Sequence, residues 1–361
     1  MTAGAAPPTQ GTYGLPRPIL ILVGSAAAVI VAMGVKMFGD IVATVMLAVV
    51  LTMAVMPIVK HGRNHGWPTW LSTILALVAA YAIVLVLAIG VATSVVKLAA
   101  TIPQYIPDAN ALKDELVDKL HSLGLNTDPT NTAASQLNLS KVLSFVTSLL
   151  TSLLGILSSL FFLVTVMFFT VAEVTGLHAR AVVLRQTRPR LLTALIGYVK
   201  VIQQYLLVTT LFGAIVAFFD TIALYVLSVP LALQWGFLSF VTNFIPNIGF
   251  VIGVIPPALM ALLANGWQSM VIVIVVYCVL NVVIQTFIQP RIVGDTVGLG
   301  TTVTFLSVFV WTVLIGPMGA LLAVPMTLLA RTLLVDADPN AGWVMALLGQ
   351  PPQQQRPAKP T

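Results

Sequence analysis

Apolar residues run in long blocks along this chain, parted by short polar stretches. About 20 apolar residues are what a helix needs to cross a hydrocarbon core of about 30 Å. On that ruler Ile19–Val35 and Ile41–Val59 are two spans joined by a tight turn over Lys36–Asp40. A basic loop follows, Lys60-His-Gly-Arg-Asn-His-Gly66, and behind it Trp67 and Trp70 sit as interfacial aromatics do. Trp70–Val96 is the third span, Gln204–Leu227 the fifth and Trp267–Ile288 the sixth. The fourth, Lys141–Ala172, exceeds the bilayer and must tilt or protrude. It carries small and hydroxyl residues in helical register, from Ser144 and Ser148 to Gly155 and Thr165, a pattern that lets helices approach closely. Between the third and fourth spans lies a polar insert, in which Leu112, Leu116, Leu120 and Leu123 repeat at helical spacing ahead of Gly124. That spacing predicts an amphipathic helix over Asp108–Leu123.

The last third departs from this plan. Leu231–Ala264 is too long for one span and is interrupted at Asn243-Phe-Ile-Pro-Asn-Ile-Gly249, then again at Pro256-Pro257. Thr301–Leu334 is interrupted at Gly316-Pro-Met-Gly319 and at Pro325. Each reads as a broken or re-entrant hairpin of two half-length helices, because bare backbone survives in a bilayer only when buried or lining a water-filled cavity. A span followed by a broken hairpin occurs twice with opposed direction, which is the inverted repeat that places substrate sites near the midplane of many secondary transporters. The expected fold is therefore all-α and integral to the membrane, with six transmembrane helices and two hairpins. The segments are 1–17, a disordered N-terminus; 18–96, three spans; 97–141, the amphipathic insert; 142–203, the long fourth span and a basic helix; 204–335, the fifth and sixth spans with both hairpins; and 336–361, a tail.

Composition agrees and narrows the function. Hydrophobic residues make up 58% of the 361 positions and charged residues only 8%, where a soluble domain needs about 25% charged residues to coat its surface. The net charge of +6 comes from Lys and Arg scattered at the ends of apolar runs, with the densest group at Arg180, Arg185, Arg188 and Arg190. Such scatter marks cytoplasmic loops and is not a nucleic-acid surface. The one cysteine, Cys278, allows no intrachain disulfide. His61 and His65 share a loop but are too few to hold a metal. No phosphate-binding glycine loop or nucleotide motif occurs, so no cofactor is expected and an ATP-driven pump is excluded on this chain. No intramembrane His, Cys or paired acids converge, so an enzyme is not expected either.

A few polar residues inside apolar blocks are the candidate pathway. Asp220 lies in Ala217-Phe-Phe-Asp-Thr-Ile-Ala with no other charge nearby. A carboxylate in hydrocarbon costs several kcal/mol unless protonated, paired or hydrated, so Asp220 is either an ion-coupling group or an acid hydrogen-bonded to a Ser or Thr. Asn243, Pro246, Asn247 and Gly249 form the first break, where the amides either satisfy freed backbone or bind a polar solute. Gly316, Pro317 and Gly319 form the second, and the two are expected to face each other as the solute site. Gly249 and Gly319 are expected to supply close approach and unusual φ. Asn281 and Gln285 are one turn apart on the sixth span, as partners across helices or as part of the path.

The stretch Asn243-Phe-Ile-Pro-Asn-Ile-Gly-Phe-Val-Ile-Gly-Val-Ile-Pro-Pro-Ala-Leu resembles the signature of the autoinducer-2 exporter family of bacterial membrane transporters. Gln289-Pro-Arg-Ile-Val-Gly and Gly316-Pro-Met-Gly-Ala-Leu-Leu-Ala-Val-Pro325 resemble it too. The resemblance implies export of a small solute such as autoinducer-2, with Na⁺ or H⁺ antiport suggested for other members. It also implies a homo-oligomer, a pentamer among the assignments, in a bacterial inner membrane. The leading function is thus passage of a small polar or amphipathic solute. A cation/proton antiporter using Asp220 and a non-transporting scaffold whose insert binds a partner are the alternatives. The basic loops put both termini, His61, Arg185 and Arg291 in the cytoplasm, and Glu115 and Asn265 outside. In a Cys278→Ser background, an impermeant thiol reagent should label cysteine at 115 and 265 from outside, and at 61, 185 and 291 only after permeabilisation. Labelling of 115 and 185 from the same side contradicts this topology.

Overall fold

In the computed structural model the described residues are 17–105, 162–171, 176–293 and 298–337, with 107, 122 and 173 as single positions. The expected Asp108–Leu123 helix, most of the fourth span with its small-residue register, and both termini lie outside them. All described elements are helices: α1 (Arg17–Met37), α2 (Gly39–Asn64), α3 (Thr69–Thr101), α4 (Phe162–Val171), α5 (Leu177–Thr187), α6 (Pro189–Val226), α7 (Ala232–Thr242), α8 (Gly249–Asn265), α9 (Trp267–Asn281), α10 (Thr301–Ile315) and α11 (Pro317–Arg331). The last turns of α9 and α11 widen into π-helix over Val282–Ile288 and Thr332–Asp336. Among the described residues, five helices are long and apolar enough to cross a membrane: Gly39–Asn64, Trp70–Ser94, Pro189–Val226, Trp267–Ile288 and Pro317–Asp336. Large apolar side chains such as Leu22, Ile30, Leu85, Val86, Leu207 and Phe218 stand exposed on their flanks, which is the outer surface of a multi-pass membrane protein.

The long helix α6 is the pillar. It begins at Pro189, whose missing N–H costs nothing at a first helical position. Its Tyr198, Ile202, Tyr205, Val208, Phe212, Val216 and Leu224 are buried along one side. Around it pack α2, α7, α9 and α11. Ala48, Ala76 and Ala80 are fully buried where α2 meets α3, small side chains that bring two helices together where lipid supplies no hydrophobic drive. Pro57 within α2 removes the N–H that would serve the Met53 carbonyl. Gln203 of α6 replaces it, its Nε2 donating to Met53 O at 3.0 Å.

Two of the expected interruptions are absent. α8 continues through Pro256 and Pro257, and α11 through Pro325. A proline inside a helix deletes one ladder bond and bends the axis without ending the helix. Pro257 and Pro325 are fully buried by neighbouring helices, and Tyr198 Oη donates to Pro325 O at 3.2 Å from α6. The interruptions that do form are at 243–248 and at Gly316. The left-handed backbone falls on Asn247 (φ 62°) and Gly316 (φ 72°), not on Gly249 or Gly319. These two glycines instead allow close approach. A Cβ on Gly249 would overlap the Thr242 carbonyl, and one on Gly319 would overlap the Trp311 carbonyl. Each thus presses on the last turns of the preceding arm, so α7–α8 and α10–α11 fold back on themselves in the same way.

Gly249→Ala and Gly319→Ala should therefore each cost about 1–3 kcal/mol through overpacking. Gly197, with nothing near its Cβ position, should tolerate Ala and gain up to about 1 kcal/mol from helix propensity. Thermal unfolding in detergent compares them, and equal midpoints for the 197 and 249 variants contradict the close-approach account.

Candidate functional site

The residues of the first break and of the sixth span come together. Asn243 ends α7, its backbone N–H donating to Ser239 O at 3.0 Å. Its side chain turns towards α6 and α9: Nδ2 donates to Thr209 O at 3.3 Å, and Oδ1 accepts from Gln285 Nε2 at 2.6 Å. The same Gln285 amide donates to Asn281 Oδ1 at 2.8 Å, which its two N–H groups permit. Asn281, 5% exposed, donates in turn to Tyr277 O at 2.9 Å. A chain of amides thus runs from the α6 backbone across the break of the first hairpin into α9. Gln285 belongs to the π segment. Such widened turns shift the backbone ladder by one residue and recur at functional sites.

The chain of amides sits beside a backbone that the break leaves short of partners. Tyr205 Oη of α6 donates to Phe244 O at 3.1 Å, and Ile248 N to Pro246 O at 2.7 Å. Pro246 is half-buried in this turn and Asn247 is exposed, outside the amide chain. Ile245 and Ile248 of the same turn pack on Val308, Ala320 and Ala323 of the second hairpin. That contact lies on the arms of the second hairpin, several residues from Gly316. Gly316 and Pro317 stand nearer the α1–α2 turn, where Gly39 lies against Leu314 and Ile315.

Asp220 is fully buried in α6 and is not hydrogen-bonded to the amides. Ser239 Oγ of α7 donates to Asp220 Oδ2 at 2.5 Å, while Oδ1 has no partner. Other polar groups lie outside the site. Glu173 pairs with Arg180 at 2.8 Å on an exposed surface, and His61 and His65 stack with ring centroids 4.1 Å apart. No group of three metal-ligating side chains occurs among the described residues.

Thr209, Ser239 and Tyr277 were not singled out by the sequence. Ser239 precedes Asn243 by four residues and Tyr277 precedes Asn281 by four, so helical spacing from the known amides was the available signal. A double-mutant cycle on Asn243→Ala and Gln285→Leu should give a coupling near 0.6 kcal/mol, with an upper range near about 1.7, as for hydrogen bonds between membrane helices. A coupling indistinguishable from zero contradicts the contact.

The sequence profile described as AI-2E family transporter matches residues 20–337. The chain is 30% identical over 315 residues to the AI-2 transport protein TqsA of Escherichia coli K12, covering 87% of this chain and 90% of that one. A putative transport protein of Haemophilus influenzae is 31% identical over 353 residues, or 94% and 98% of the two chains. The putative transport protein YhhT of Escherichia coli K12 is 29% identical over 314 residues, or 85% and 88%.

Proposed function

From the premise that this chain belongs to the AI-2E transporter family, a membrane transporter family, we propose that it passes a small polar solute of the autoinducer-2 kind along the seam between α6, the first break and the π turn of α9. The observation that carries this reading is the amide chain Asn243–Gln285–Asn281, anchored on backbone carbonyls at both ends. Amide side chains in hydrocarbon are stable only while their donors and acceptors are matched. They can therefore exchange partners with a hydroxyl-rich solute at little cost, which an apolar lining cannot do. The printed name of the Escherichia coli relative, an AI-2 transport protein, supports the solute class.

The rest of the reading extends the sequence expectations. α7–α8 and α10–α11 are hairpins re-entering from opposed sides, and the basic ends of the helices face the cytoplasm of a bacterial inner membrane. The matching glycine contacts at 249 and 319 support an internal repeat. A groove of about 830 Å³ between α2, α3 and α6, lined by Pro57, Gln204 and Thr210 among others, suits a second copy in a homo-oligomer.

Purified protein in liposomes should exchange internal for external autoinducer-2, and Gln285→Leu should reduce that exchange about tenfold or more. The loss of a matched polar contact of about 1.4 kcal/mol corresponds to tenfold. The variant should stay folded with oligomer size unchanged and only a modest fall in unfolding midpoint from the lost hydrogen bonds. Wild-type liposomes no faster than empty ones refute the transport reading. A fully active Gln285→Leu variant refutes the assigned seam.

A further inference from the structure

Two polar rungs cross the helices around α6, one helical turn apart. The first is the amide rung, with Asn243 on α7 and Asn281 with Gln285 on α9. The second lies four residues earlier on both helices: Ser239 on α7 and Tyr277 on α9, about 6 Å away along each axis. Asp220 of α6 belongs to this second rung. Its carboxyl is fully buried, one oxygen holding the Ser239 hydroxyl at 2.5 Å and the other unpaired. Tyr277 is 1% exposed, its hydroxyl is also buried without a partner, and it lies within electrostatic range of Asp220.

We propose that Asp220, Ser239 and Tyr277 form a proton-binding site whose loading is coupled to the amide rung. This rests on the transport reading above and adds to it the driving ion. The chemistry of the pocket selects a proton over a metal cation. A hard cation wants about six or more oxygen ligands. Here one carboxyl is held by one hydroxyl with a second hydroxyl in its electrostatic range, and no group of three His, Cys, Asp or Glu side chains occurs among the described residues. A proton needs one oxygen, and Oδ1 is free to take it. A phenol suits both states: brought within hydrogen-bond reach, it can donate to Oδ1 when the acid is ionised and accept from the Oδ1 hydroxyl when it is protonated.

No other charge competes for Asp220. α7 and α8 carry no titratable side chain, and α9 brings only Tyr277 and Cys278. Of the remaining titratable groups on elements packed on α6, those whose side chains are described sit at helix ends: Asp40 and Lys60 to His65 on α2, Arg180 and Arg185 on α5, and Arg331 at the end of α11 with Asp336 beyond it. On α3, packed against α7, Lys97 lines a recess of about 500 Å³ with Tyr225 and Gln234. On α6 itself, Arg190, Tyr198, Lys200 and Tyr205 lie in its first half, and Tyr225 is exposed. A buried carboxylate with an unpaired oxygen and no cation is costly, so the pocket holds together best with the proton on. Releasing it creates a charge that must draw in water or reorient Ser239 and Tyr277. Both residues are on the helices that carry the amides, at one turn's distance, so the rearrangement reaches Asn243 and Asn281 directly. Asn281 Nδ2 is bonded to the backbone carbonyl of Tyr277 itself.

The test uses the full chain in lipid bilayers and two readouts. The first is the infrared carbonyl band of a protonated carboxylic acid, recorded as a difference between acid and alkaline pH. The account predicts such a band in the wild type, its loss in Asp220→Asn, and a displaced band in Tyr277→Phe and Ser239→Ala, which keep the acid but change its partners. A wild-type difference spectrum that Asp220→Asn leaves unaltered overturns the site. The second readout is accumulation of autoinducer-2 under a pH gradient, with exchange at equal pH as a control. Gradient-driven accumulation should be abolished in Asp220→Asn. If the wild type exchanges autoinducer-2 but ignores the gradient, or if Asp220→Asn still responds to it, the coupling is overturned while the transport reading stands. If the wild type exchanges nothing, the transport reading fails and the coupling with it, whereas the infrared band still decides whether the site binds a proton. A Na⁺ gradient that drives accumulation where a pH gradient does not overturns the choice of ion.

Discussion

Lipid offers no hydrogen bonds, and every exposed N–H or C=O in a bilayer must find its partner inside the protein. That constraint explains the unusual features of this chain better than hydrophobicity does. The Pro57 gap in α2 is met by the Gln203 amide, and the Phe244 carbonyl in the first hairpin turn is met by Tyr205 of α6. The junction of α9 with its π turn is met by Asn281. Polar side chains in the apolar core are thus placed where the backbone departs from a regular helix. The proposed path for a polar solute uses the same groups, because a site that can satisfy a broken backbone can also exchange those bonds with a ligand.

Packing enforces this arrangement. α6 is long enough to touch both hairpins and the segment between them, through Tyr198 and Tyr205 towards α11, through Thr221 and Ala217 towards Gly236 of α7, and through Val208, Phe212 and Val216 towards the π segment after α9. Gly236 lies so close to Thr221 and Ala217 of α6 that any side chain there would collide, and Gly249 and Gly253 bring α8 onto α7 in the same manner. The cost of such contacts is intolerance to added volume, and the gain is a fixed distance between Asp220, Ser239 and Asn243. α7 is thus held on one side by α6 and on the other by α8.

Much of this was legible in the sequence, for identifiable reasons. Apolar block length marked the second, third, fifth and sixth spans, while the first falls among the shorter apolar helices and the last arm of the second hairpin is longer than expected. The breaks at Asn243–Gly249 and at Gly316 were marked by residues that favour turns or left-handed backbone. Pro256, Pro257 and Pro325 misled because proline signals a lost hydrogen bond, not the end of a helix, and only tertiary burial decides which follows. Asn281 and Gln285 were legible as neighbours through helical spacing, but their link to Asn243 spans 42 residues and depends on how the hairpin packs. The Ser239–Asp220 bond was foreseen only in kind, as an acid facing some Ser or Thr. Which hydroxyl it faces is a fact of packing between α6 and α7.

The central claim is that the amide seam is wet and receives the solute, and reactivity at position 285 tests it most directly. In a Cys278→Ser background, Gln285→Cys should react with a small water-soluble thiol reagent and be protected by autoinducer-2. Val283→Cys and Phe287→Cys, on exposed apolar positions of the same segment, should resist the reagent. Inertness at 285, or reaction there that autoinducer-2 does not slow, contradicts the account.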